Sequence, residues 1–212
     1  MAATAAGVPF LALAGKAEAR IVYTPTNVHI SQYNLDLNGD GQVDFVFNDF
    51  YAHGSTSNDV QLVFYSGRAM TINKAIAKNY SFSPLPRGVR VGPGDHFSMR
   101  DNGAIMADVL HRKGKTYYSG KWANGGKGVK NRYLGLKFII KGKYHYGWAR
   151  LNVSVTGAGP NATLTGYAYE TIPSKAIITG KTKGPDVIKL EPASLGRIAL
   201  GSAGLAARAS SK

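Results

Sequence analysis

The chain has 212 residues, no cysteine and a formal net charge of +14, from 26 Lys and Arg against 12 Asp and Glu. This length suits one domain whose core needs no covalent staples, and the absence of cysteine excludes a disulfide framework, a thiolate zinc site and a thiol nucleophile. The surplus positive charge makes polyanions the expected partners: acidic polysaccharide, nucleic acid or an anionic lipid surface.

Residues 1–19 are Ala-rich and apolar, and Ala17 and Ala19 close the stretch in the Ala-x-Ala manner of a signal-peptidase site, with cleavage expected after Ala19. A basic start to this leader is missing, so a truncated leader is the expectation. From Arg20 the pattern is β throughout. Ile21–Thr24, Asn27–Ile30 and Tyr33–Asp36 read as short strands, and Val43–Phe50 alternates at period two.

Between the last two lies Asp36-Leu37-Asn38-Gly39-Asp40-Gly41-Gln42-Val43-Asp44. Oxygen-bearing side chains at every second position, with a glycine at the sharp turn, suit a hard cation that takes six to eight oxygens. Asp36, Asn38 and Asp40 would give side-chain oxygens, Gln42 its backbone carbonyl, and Asp44 a direct or water-mediated ligand to Ca²⁺. A helical EF-hand would carry Glu at the twelfth position, but here Phe47 stands there and a strand follows. The stretch therefore resembles the DxDxDG calcium loop that enters a β-strand in integrin-type and other extracellular repeats. The competing reading is a hairpin turn whose carboxylates merely cap backbone N–H groups.

Further on, Tyr51–Asn58 reads as an exposed turn, Val60–Tyr65 as a strand, Ile72–Lys78 as a short helix, and Ser83–Gly94 as a proline-held loop. The clearest hairpin is Tyr133–Ile140, a Lys141-Gly142 turn, then Tyr144–Val155. Leu134, Leu136, Phe138 and Ile140 share one face of the first arm. Ala149, Leu151, Val153 and Val155 share one face of the second, with Tyr144, Tyr146, Trp148 and Arg150 on the other. Those four, together with Tyr167 and Tyr169 of Ala162–Glu170, are candidates for an aromatic platform on which sugar rings stack. The same residues would serve equally as core. The strands and Gly-rich turns predict an all-β fold, an antiparallel sandwich of jelly-roll-like type with short helical turns, over residues 20–183.

Charge is segregated. No acid occurs between Val109 and Tyr169, whereas Arg112, Lys113, Lys115, Lys121, Lys127, Lys130, Arg132, Lys137, Lys141, Lys143 and Arg150 do. Catalytic signatures are absent. His29, His53, His96, His111 and His145 are scattered without metal-pair spacing, and neither a nucleophile elbow, a His-Glu-x-x-His helix nor a P-loop is present. Asp95, Asp101, Asp108 and Glu170 are the only acids available to a carboxylate pair outside the calcium region, to which Asp49 and Asp59 are assigned. Asp95-His96 would point to opposite faces of a strand. Asn79, Asn152 and Asn161 fit glycosylation triplets that chance readily produces.

Residues 184–212 end the chain with Glu191-Pro192-Ala193-Ser194, an apolar run broken by Arg197, and a basic end. They resemble the PEP-CTERM sorting signal of exported bacterial proteins, although Leu190 replaces its first proline and the run is far shorter than the about 20 residues of a membrane span. Tyr144–Leu151 and Leu164–Thr171 are similar to segments of secreted bacterial proteins with such tails. The resemblance implies a cell-surface or extracellular address, an exopolysaccharide or biofilm setting, and no particular activity. The combined expectation is an exported, non-enzymatic calcium-binding surface or matrix protein that associates with acidic polysaccharide or with copies of itself as an oligomer or filament, with no stable membrane span. A polysaccharide lyase or hydrolase is the alternative.

Overall fold

A computed structural model describes residues 20–67, 73–78, 81–99 and 103–184. The leader, the sorting-like tail beyond Gly184, Asp101 and Asn79 lie outside these residues. Two antiparallel sheets pack face to face as an all-β sandwich, as the alternating patterns predict. The first runs β1 (Ile21–Ile30), β13 (Gly159–Glu170), β12 (Lys143–Thr156), β11 (Val129–Ile140), β5 (Lys74–Lys78) and β6 (Ser81–Phe82), with β8 (Phe97–Ser98) also on β5. The second runs β10 (Lys115–Ser119), β9 (Ala104–Arg112), β4 (Ser57–Ser66), β3 (Phe45–His53) and β2 (Gln32–Leu35). Among the described residues no helix is long and apolar enough to cross a membrane.

The main core lies between the sheets. Leu134, Leu136 and Phe138 from β11 and Ala149, Leu151 and Val153 from β12 meet Phe45, Phe47, Leu62 and Phe64 of the second sheet. Phe64 sits at the centre of an aromatic cluster, with ring centroids 5.2 Å from Phe45, 4.6 Å from Phe47 and 5.3 Å from Phe82. Such contacts add to the area each ring removes from water.

Two expectations change. Ile72–Lys78 is not the expected short helix: Lys74–Lys78 forms β5, with Ala75 and Ala77, two residues apart, both buried in the main core. The Tyr51–Asn58 segment is mostly strand, paired from Tyr51↔Val60 to His53↔Asn58, and turns only at Gly54–Thr56. A third layer covers the outer face of the first sheet. The ribbon β7 (Arg90–Val91) with β14 (Ile177–Ile178) lays Val91 and Ile177 against Tyr133, Tyr146, Trp148 and Ala168.

A backbone device closes the second sheet. Gly120 follows β10 with φ +81°, a conformation L side chains rarely adopt, and a Cβ there would press on the backbone of Met106 and Ala107. That turn lets the N–H of Trp122 reach the carbonyl of Met106 at 3.1 Å and sends the indole into the core. Gly120→Ala is expected to lower stability by about 1–3 kcal/mol, since backbone cannot yield as a flexible side chain does. Gly142→Ala, with comparable φ but open space around it, should cost less in the same thermal melt.

Candidate calcium loop and the polar surface

The loop Asp36–Asp44 joins β2 to β3, and the chain leaves it as strand, as the alternation beyond Asp44 predicts. Asp36 organises the turn. Its Oδ1 accepts the N–H of Gly39 at 2.8 Å and of Asp40 at 3.3 Å, and its Oδ2 accepts that of Gly41 at 2.7 Å. Asp40 accepts the N–H of Gln42 at 3.0 Å and the side-chain amide of Asn38 at 3.0 Å. The Oδ1 of Asn38 is buried without a donor. Gln42 is exposed.

Asp44 is 7 % exposed and fastens the loop to the body. Its carboxylate accepts the Leu37 N–H at 2.9 Å, while Asn73 donates to both its carbonyl and its Oδ1. Asn73 in turn accepts the N–H of Ile139 on β11 at 3.2 Å, so one buried amide ties the loop to the first sheet. Burial pushes the Asp44 carboxyl up to about 6; the charges of Asp36 and Asp40 add to the rise, against the hydrogen bonds from Leu37 and Asn73. Three negative groups thus act on one another across the loop. Even so, no three carboxylate or imidazole groups among the described residues are gathered to hold an ion by themselves. The carboxylates are spent largely on N–H groups, as the competing hairpin reading has it.

The aromatic platform does not form. Trp148 is fully buried and Tyr146 is 5 % exposed, both under the β7–β14 ribbon. Tyr167 pairs with Ala149 and Tyr169 with Gly147, which puts them on the opposite face, against the main core. Arg150 is engaged by Thr165, through Nε to its hydroxyl at 2.8 Å and Nη2 to its carbonyl at 2.7 Å. Only Tyr144 presents much of its ring, at 43 % exposure, with the Lys137 ammonium 3.9 Å from the ring centroid. Strand alternation identifies a shared face, but it does not reveal a third layer that covers it.

Three of the histidines hold backbone carbonyls. His145 is buried and its Nδ1 lies 2.9 Å from the Glu170 carbonyl; His96 meets the Ala77 carbonyl at 2.9 Å and His111 that of Gly157 at 2.6 Å. Asp95 accepts the Gly92 N–H at 2.7 Å and faces Arg90 at 3.6 Å, which closes a loop. Glu170 is buried beside Lys175, at 3.7 Å.

Asp49 and Asp59 do not belong to the calcium region. Asp49 pairs with Leu62, on the β3 face that carries Phe47. Burial pushes its carboxyl up to about 6, partly opposed by His29. Asp59 lies beside Asp108 on the outer face of the second sheet, where burial and then the neighbouring Asp59 raise Asp108 to about 6, while a hydrogen bond from Ser119 at 2.8 Å opposes. Each of these two carboxyls has one buried oxygen without a donor, so the pair is satisfied only when a proton is held between them. Sequence distance conceals the pairing, because only the β4–β9 register sets Gln61 opposite Asp108 and Asp59 opposite Leu110. Comparison with protein-family models, curated proteins and solved structures finds no match for this chain.

Proposed function

We propose that this is an exported β-sandwich that holds Ca²⁺ in the Asp36–Asp44 loop and acts by binding acidic polysaccharide at a cell surface or in a matrix, rather than by turnover. One observation carries the metal reading: the Asn38 amide oxygen, at the third position of the DxDxDG spacing, is buried with no donor. A cation would satisfy it and relieve the mutual repulsion of Asp36, Asp40 and Asp44. Asp36, Asn38, Asp40 and the Gln42 carbonyl would hold the ion, with Asp44 closing the shell. Millimolar calcium outside a cell fills even a weak loop of this kind.

The polysaccharide reading is supported by the +14 charge and by the exposed Arg112, Lys113, Lys130, Arg132, Lys141 and Lys143. Export is supported by the Ala17/Ala19 leader pattern and the tail resemblance; N-terminal sequencing of the protein recovered from a bacterial host should begin at Arg20. Arg150 and His145, the residues a lyase would recruit, are bound to Thr165 and the Glu170 carbonyl.

Calcium at roughly a hundredfold its Kd should stabilise the fold by about 2.7 kcal/mol, which raises Tm by about 5–10 °C for a chain of this size. Asp40→Ala should melt in calcium as the chelated wild type does. Identical melting of wild-type protein in calcium and in chelator would remove the metal from the proposal.

A further inference from the structure

We propose that the groove on the outer face of the second sheet, at the β9–β10 hairpin, is the seat for the sugar rings of a uronic-acid polysaccharide. The inference rests on the polysaccharide reading above and places its contact away from the loop and from the buried Tyr/Trp face.

The hairpin turns at Lys113 and Gly114, with φ 50° and 71°, the left-handed pair of a tight two-residue turn. Its register stacks three rungs on the outer face: Ser57, Arg112 and Lys115; then Asp59, Leu110 and Tyr117; then Gln61, Asp108 and Ser119. An open hollow of about 550 Å³ lies over the β9–β10 side of these rungs, lined by Asp108, Leu110, Arg112, Lys113, Tyr117 and Ser119. That volume falls within the range of small-ligand sites. A second hollow of about 460 Å³ continues past Arg112 and Lys113 to the β3–β4 turn at Gly54–Asn58. From Asp108 to Arg112 the strand advances roughly 13 Å at about 3.3 Å per residue, room for more than one ring.

Each part of a uronate chain has a counterpart. Tyr117, on an edge strand and 50 % exposed, offers a ring face for the apolar side of a pyranose, beside Leu110. Asp108 and Ser119, 2.8 Å apart, line the groove and face vicinal hydroxyls, while Asp59 and Gln61, 2.6 Å apart, stand on the neighbouring strand. Arg112 and Lys113, both exposed between the two hollows, face a sugar carboxylate. A nucleic-acid strand fits less well, because it would want successive rings on which to stack its bases and the groove offers one, Tyr117. A protein partner would want an apolar anchor where this groove puts a carboxyl pair.

Calorimetric titration with an oligogalacturonate, with single-stranded DNA and a neutral glucan of equal length as comparisons, tests the seat. Wild type should bind the uronate best. Tyr117→Ala and Arg112→Gln should each weaken it about tenfold, with melting temperatures near wild type, while Lys181→Gln/Lys183→Gln, an exposed pair past β14 on the other side of the sandwich, should leave it unchanged. If the far pair weakens binding and Tyr117→Ala does not, the polysaccharide reading stands and this seat is wrong. Equal weakening by every variant, or tighter binding of DNA, also overturns the seat in favour of diffuse attraction. No uronate binding by wild type at all would remove the polysaccharide reading itself.

Discussion

Trp148→Ala should lower unfolding free energy by about 3–5 kcal/mol in urea, the range for truncating a fully buried large aromatic. The indole is sealed from solvent, makes an edge contact with Tyr133 at 5.1 Å and 84°, and lies 5.8 Å from Tyr23. Its N–H has no acceptor, so little hydrogen bonding is lost with it and the cost is one of packing. Trp148→Phe should therefore recover most of the loss. Tyr144→Ala, four residues away on the same strand face, should cost no more than about 1 kcal/mol, since it forfeits only a cation–π contact at a half-exposed ring. Trp122, which lies in the main core, remains as the fluorescent reporter. A Trp148→Ala protein within about 1 kcal/mol of wild type would mean that the β7–β14 ribbon does not form a packed layer.

The contrast between Trp148 and Tyr144 shows what alternation can and cannot reveal. The Leu134–Ile140 and Ala149–Val155 faces were legible because each repeats at period two with a polar or aromatic opposite face, and the Lys141-Gly142 turn fixed their register. Coverage of the opposite face was not legible, since it depends on a ribbon whose two short strands are far apart in sequence and meet only through the pairing of Val91 with Ile177. The β9–β10 hairpin carries the same Lys-Gly turn signal at Lys113-Gly114. Its arms hide it: a bulge between Leu62 and Val63 buries both Met106 and Ala107 on β9, which breaks the alternation, and every residue of β10 is exposed. For the loop, the donor spacing could be read directly, whereas the tie to Asn73 is tertiary, 29 residues away. Asp59 and Asp108 belong to different strands, and only their register brings two acids together in a strongly basic chain.

That pairing leads to a pH dependence of unusual sign. The Asp49 and Asp108 carboxyls each stand at about 6 in the folded chain against 3.8 as the reference value. Between those values the folded state holds more protons than the unfolded one, so stability contributed by these groups is present at about pH 4 and is lost as pH rises through about 6. A carboxyl carried that far costs roughly 3 kcal/mol once ionised; partial exposure and solvent screening reduce this, to about 2–4 kcal/mol for the two together. Asp49→Asn/Asp108→Asn should therefore stabilise the metal-free protein at pH 7 by that amount and leave it unchanged at pH 4, since the amide introduced beside Asp59 can donate to it where wild type needs a shared proton. The stabilisation by calcium proposed above should be the same in the variant as in wild type, because neither residue lies in the loop. Chemical denaturation at both pH values in chelator measures the difference directly. Equal stabilisation at pH 4 and pH 7 would show that packing rather than ionisation is at work, and destabilisation at pH 7 would show that both carboxylates are held by partners better than those the sheet provides.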